Sequence, residues 1–82
     1  MKAAIVTVYS RPGCHLCVEA MSLLGALQPR YGFELRECDI TGEEALQRAY
    51  FERIPVVTVD GEEMCDYFVK EALLRERLES RR

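Results

Sequence analysis

Tyr9-Ser10-Arg11-Pro12-Gly13-Cys14-His15-Leu16-Cys17 is the stretch from which the fold is read. An apolar run ends at Tyr9, Pro12-Gly13 breaks it, and two cysteines three residues apart open a helical pattern. The order is strand, turn, helix N-terminus. Cysteines at i and i+3 on a first helical turn share a face and come close enough to close a disulfide. The first of them sits where unpaired backbone N–H groups and the helix dipole favour negative charge. The thiolate is the reactive form of cysteine, so this turn supplies an activated nucleophile together with a partner thiol.

Outward from that turn, Ala3 to Ser10 is a nearly continuous apolar run with β-branched Ile5, Val6, Thr7 and Val8. It suits a central strand covered on both faces. From Cys14 to Gln28 the pattern is helical, with Leu16, Ala20, Leu23, Leu24 and Leu27 on one stripe. Pro29 marks the expected end. Phe33 to Ile40 reads as a second strand, Phe33 and Leu35 alternating with Glu34 and Arg36. Strand, helix, strand with short connections is a right-handed βαβ unit, so the two strands are expected to be parallel. Thr41-Gly42-Glu43-Glu44 has the form of a capping box for a short helix reaching Phe51, with Leu46, Ala49 and Tyr50 on one side. Val56 to Val59 is a strand, Asp60-Gly61 a tight hairpin, and Glu62 to Cys65 the return strand. Glu62 and Glu63 would blunt an exposed edge. Asp66 is placed to cap a last helix running to Glu79, with Val69, Ala72, Leu73 and Leu78 toward the sheet. Arg75, Arg77, Arg81 and Arg82, mixed with Glu76 and Glu79, read as a solvated helix end. The order βαβαββα predicts an α/β domain with one four-stranded mixed sheet and helices on both faces.

The chain has 82 residues, enough for one small domain spanning 1–82. An apolar fraction of 49% supports a packed core and a charged fraction of 30% supports solubility. A net charge of −3 argues against a nucleic-acid surface. No apolar stretch approaches the roughly 20 residues of a membrane span. Met1-Lys2-Ala3-Ala4-Ile5-Val6 superficially resembles a signal peptide, but Thr7 and Tyr9 interrupt it and no small-residue cleavage pattern follows. The expectation is a cytoplasmic monomer without nucleic-acid or membrane partners. In that compartment a CxxC is redox-catalytic or metal-binding rather than a structural bridge, and a four-cysteine disulfide framework is disfavoured.

The element order, with CxxC directly after the first strand and an apolar-Pro pair opening the third, resembles the glutaredoxin branch of the thioredoxin fold. The residues that carry the resemblance are Tyr9-Ser10, Cys14-His15-Leu16-Cys17, Ile54-Pro55-Val56-Val57 and Asp60-Gly61. It covers nearly the whole chain. It is similar to short bacterial glutaredoxin-like proteins and to the small redoxins that serve ribonucleotide reductase. The resemblance implies that Ile54–Pro55 is a cis peptide packed against the cysteines. It implies that Pro55 shapes a substrate groove where Ile54 presents backbone hydrogen-bonding groups. It places Arg11 where glutaredoxins carry a basic residue three before the nucleophile, to stabilise the thiolate or attract an anionic thiol. No organic cofactor is implied beyond a thiol electron donor, either glutathione or a reductase. Two departures matter. Arg53-Ile54-Pro55 stands where glutathione-binding members have Thr-Val-Pro, and Met64-Cys65-Asp66-Tyr67 stands where they have a Gly-Gly pair. Those glycines let backbone N–H groups approach the glutathione carboxylate, whereas Cys65 and Asp66 add side chains and a negative charge. A protein dithiol therefore stands beside glutathione as the expected partner.

In this reading Cys14 is an exposed nucleophile that forms a mixed disulfide, and Cys17 resolves it. His15 favours the Cys14 thiolate if protonated and does little if its ring points to solvent. The substrate is a disulfide-containing protein or a small thiol. Cys38 reads as a small core residue. Cys65, by the resemblance, borders the site, as a packed residue or as a third redox thiol. Two other classes compete. Cys14, His15, Cys17 and Cys65 offer ligands for zinc or an iron–sulfur cluster, although structural zinc sites usually have two close cysteine pairs and this chain has one. A redox-inert docking module is the other, and the intact CxxC argues against it.

Overall fold

The computed structural model describes residues 3–80. Met1-Lys2 of the signal-like start, and Arg81 and Arg82 of the charged end, lie outside the described residues. Strand β1 (Ile5–Ser10) buries Val6, Val8 and Ser10 on one face and half-covers Ile5, Thr7 and Tyr9 on the other. Helix α1 (His15–Tyr31) follows, then β2 (Glu34–Asp39), a 3₁₀ turn (Ile40–Gly42) and α2 (Glu44–Tyr50). The hairpin β3 (Val56–Val59) and β4 (Glu62–Asp66) leads to α3 (Glu71–Glu79). The sheet order is β2-β1-β3-β4. Strands β1 and β2 are parallel, with Tyr9 in register with Cys38. β3 runs antiparallel to β1, and β4 antiparallel to β3. The expected topology is the one observed, although it is β3, with all four residues buried, that is fully covered on both faces.

Alternation along β1 separates two cores. On the Val6 and Val8 face, Val57 and Val59 of β3 meet Ala20 and Leu24 of α1 and Leu74 and Leu78 of α3. On the other face Tyr9 packs on Tyr50 of α2, ring centroids 4.8 Å apart. There a smaller cluster joins Cys17, Ile40 and Ile54, with Cys14, Leu46 and Tyr50 against it. Each fully buried leucine or valine contributes about 1.5–3 kcal/mol relative to exposure, so the larger cluster carries most of the stability. Among the described residues, no helix is long and apolar enough to cross a membrane.

Several local expectations are corrected. Helix α1 passes through Pro29 and stops at Gly32, whose φ of 70° reverses the chain while its N–H donates to the Gln28 carbonyl at 2.7 Å. The helix accommodates Pro29 in its last turn without the Pro29 hydrogen bond, and the left-handed glycine sets the terminus. The buried stripe of α1 is Cys17, Ala20 and Leu24, with Leu23 exposed, because the small apolar Cys17 sets its phase. The Thr41 capping box does not form. Asp39 Oδ1 accepts from the Thr41 N–H at 2.8 Å and its hydroxyl at 2.6 Å, which ties Thr41 into the 3₁₀ turn. Helix α2 then starts behind Glu43 with no side-chain cap. Asp66 does not cap α3 either. It ends β4 and accepts from Arg53 Nε at 3.0 Å. The later start puts Leu74 and Leu78 inward and leaves Ala72 and Leu73 exposed. Cys38 is half-buried rather than a core residue, because it lies on the edge strand β2.

Candidate active site

Gly13 has φ 79°, a conformation that glycine adopts without cost and that turns the chain from β1 into α1. Cys14 then stands as the N-cap of α1 in an extended conformation, with His15 the first helical residue. Cys14 and Cys17 are joined by a disulfide, their Cα atoms 5.2 Å apart. The Cys17 N–H donates to Cys14 Sγ at 3.2 Å, so the capping acceptor of this helix is the sulfur itself. Cys17 is 1% exposed and Cys14 is half-buried. Cys14, expected to be exposed, is thus partly sheltered, yet it is the cysteine of the pair that lines a groove.

Cys14 opens onto a groove of about 680 Å³. Arg11, Gly13, His15 and Leu16 line it on the side of the CxxC turn, and Phe51, Glu52, Ile54 and Tyr67 line the other. Arg11 and Phe51 also border a neighbouring cavity of about 410 Å³ that holds Arg48 and Gln47. The structure therefore brings Arg11, Cys14, His15 and Ile54 to one groove, with Cys17 packed beside Ile54. The Ile54–Pro55 bond is cis. Pro55 is fully buried and, unlike Ile54, does not line the groove.

Three groove residues escaped the reading of the sequence: Phe51, Glu52 and Tyr67. Tyr67 lies in the stretch that departs from the Gly-Gly pattern, and that departure was the available signal. Its φ is 62°, in the left-handed region that a Cβ disfavours. Two bonds hold it there. Its N–H donates to the Arg53 carbonyl at 3.2 Å, and its hydroxyl donates to the Glu52 carbonyl. Arg53 in turn donates to Asp66 and Glu63 and lies 5.8 Å from the Tyr50 ring centroid.

Cys65 does not join this site. It is 6% exposed, sits opposite Val57, and belongs to the larger core. Burial pushes its thiol up, with the Lys70 N–H and charge offsetting part of the effect. Among the described residues no three of the His, Cys, Asp and Glu side chains gather where one metal ion could be held, so the proposed ligand quartet is not assembled.

Comparison with known proteins agrees with this geometry. The family model described as Glutaredoxin-like domain (DUF836) matches residues 5–79. The uncharacterized protein Rv0508 of Mycobacterium tuberculosis is 33% identical over 75 residues, covering 85% of this chain and 77% of the relative. The solution structure of protein Ne2328 from Nitrosomonas europaea superposes with a TM-score of 0.85 at 35% identity, covering 94% of this chain and 93% of that one. Reduced Escherichia coli glutaredoxin superposes with a TM-score of 0.68 at 29% identity, covering 92% of this chain and 98% of that one.

Proposed function

Because the chain belongs to the family described as Glutaredoxin-like domain (DUF836), we propose that it is a thiol–disulfide oxidoreductase. The observation that carries this reading is the Cys14–Cys17 disulfide across the first turn of α1, one sulfur facing a groove and the other buried. In the reduced protein the Cys14 thiolate attacks one sulfur of a substrate disulfide. The substrate S–S bond breaks, a substrate thiolate leaves and takes a proton, and a mixed disulfide remains. Cys17, losing its proton, attacks Cys14 Sγ and expels the second substrate thiolate. Two electrons pass to the substrate, and the Cys14–Cys17 disulfide closes. A thiol electron donor, either glutathione or a reductase dithiol, returns the two electrons.

The helix N-terminus, the Cys17 N–H and the nearby Arg11 all favour the Cys14 thiolate. His15, exposed in the same groove, adds to this when protonated. Ile54 and Pro55 shape the wall on which a substrate rests. The reading is of a cytoplasmic monomer acting on disulfides.

The test is a redox equilibrium. Metal-free protein is equilibrated in glutathione buffers of graded ratio, its thiols are trapped by alkylation, and its mass is read. Cys14 and Cys17 are expected to convert together in one two-electron step. Thiols that persist at every ratio, or that are protected by bound metal, overturn the reading. The same protein carrying His15→Ala is expected to show a raised Cys14 pKa, and an unchanged thiolate titration removes His15 from the mechanism.

A further inference from the structure

The turn after β4 closes one side of the Cys14 groove, and its polar groups are already engaged. The Tyr67 N–H donates to the Arg53 carbonyl at 3.2 Å, and the Phe68 N–H donates to the Asp66 carbonyl at 2.7 Å. The Tyr67 hydroxyl is held by the Glu52 carbonyl. The Arg53 guanidinium is held by Asp66 and Glu63. A small peptide thiol that brings its own terminal carboxylates needs free N–H groups or a cation to receive them. On this side the donors are turned inward, and Glu52 adds a carboxylate to the lining.

What the groove offers instead is apolar surface. Phe51 is 53% exposed and Tyr67 is 48% exposed, both on the Cys14 groove. A smaller cavity of about 210 Å³ shares Leu16 and Tyr67 with it and adds Leu23 and Phe68, the latter 67% exposed. Apolar surface therefore continues from Phe51 past Cys14 to Phe68. We propose that this site takes its disulfide from within a polypeptide chain, with apolar residues beside the cysteine, and discriminates against glutathione disulfide, with Tyr67 as the specificity-determining residue. This rests on the oxidoreductase reading. An internal polypeptide segment carries no terminal charges to satisfy, and its apolar side chains cover Phe51 and Tyr67. Arg11, which lines the opposite side of the groove and forms no ion pair among the described residues, receives one carboxylate of either kind of substrate, so the discrimination rests on the Tyr67 side. The chemistry is unchanged: the polypeptide disulfide is reduced to two thiols while Cys14 and Cys17 are oxidised to their disulfide.

Single-turnover oxidation of the reduced protein tests this, read by acid quench, alkylation and mass. Three disulfides are compared: 2-hydroxyethyl disulfide, which is small and uncharged; glutathione disulfide; and a disulfide-linked peptide with acetylated and amidated ends and leucine on each side of its cysteine. Each rate is divided by the hydroxyethyl disulfide rate of the same variant. The peptide is expected to react about tenfold faster than glutathione disulfide, a margin typical of one well-formed apolar contact region. Tyr67→Gly, which keeps the backbone conformation, should narrow that ratio, and Tyr67→Phe, which keeps the ring, should preserve it. Glutathione disulfide reacting as fast as the peptide, or a ratio unmoved by Tyr67→Gly, overturns the proposal. Failure of all three disulfides to oxidise Cys14 sinks the oxidoreductase reading itself, and the specificity with it.

Discussion

Cys14 and Cys65 are the same chemical group in opposite surroundings. Cys14 caps a helix and opens to a groove, whereas Cys65 sits among valines and leucines of the main core. Burial raises the Cys65 thiol above its ordinary 9.0. A group whose pKa is higher folded than unfolded holds its proton more tightly in the folded protein. Its stabilising contribution is complete below the ordinary thiol value and is lost as pH rises through the folded value. Alkaline solution should therefore destabilise the protein in part through Cys65, and Cys65→Ala should flatten that limb of a denaturation-against-pH series. In the native protein iodoacetamide should modify half-buried Cys38 well before Cys65, as peptide mass mapping would show. Equal labelling rates would mean that the β4 strand opens often enough to expose its inner face.

At the scale of elements, α1 illustrates how each end of a helix is set by a different device. Cys14 starts it with a sulfur acceptor, and Gly32 ends it in the left-handed conformation. Beyond its chain neighbours, no atom lies within 4 Å of where a Cβ at Gly32 would stand, so Gly32→Ala meets only the conformational penalty. That penalty is about 1 kcal/mol, which in a domain of this size lowers the melting temperature by about 4–8 °C. A thermal melt checks it, and an unchanged midpoint would show that the left-handed turn at Gly32 does not limit the stability of this helix end. The strands, the hairpin and the CxxC turn were legible in the sequence because period and turn chemistry are local. The starts of α2 and α3 were not. Thr41 and Asp66 each have a cap's chemistry, but Asp39 captures the first and Arg53, thirteen residues away, captures the second. The same reason hid the far wall of the site. Tyr67 becomes a groove residue only when the hairpin folds back against Glu52 and Arg53.

For the molecule as a whole, the alternation of β1 divides stability from chemistry. Val6 and Val8 face the large core that α1 and α3 close, while Tyr9 faces the small cluster that holds Cys17 and Ile54. Leu24 is fully buried in the large core. Its replacement by alanine should cost about 2–5 kcal/mol through lost burial and a residual cavity. At temperatures where the variant stays folded, the oxidation rate of Cys14 should be that of the parent. Leu46 is half-buried against the small cluster. Leu46→Ala should cost less stability, about 1 kcal/mol, yet should shift the midpoint of the Cys14–Cys17 redox equilibrium, because the packing around Cys17 and Ile54 loosens. Urea denaturation and the redox titration of both variants decide the matter. If Leu24→Ala moves the redox midpoint as much as Leu46→Ala does, the sheet couples the two clusters, and the site depends on the whole core rather than on its own face of β1.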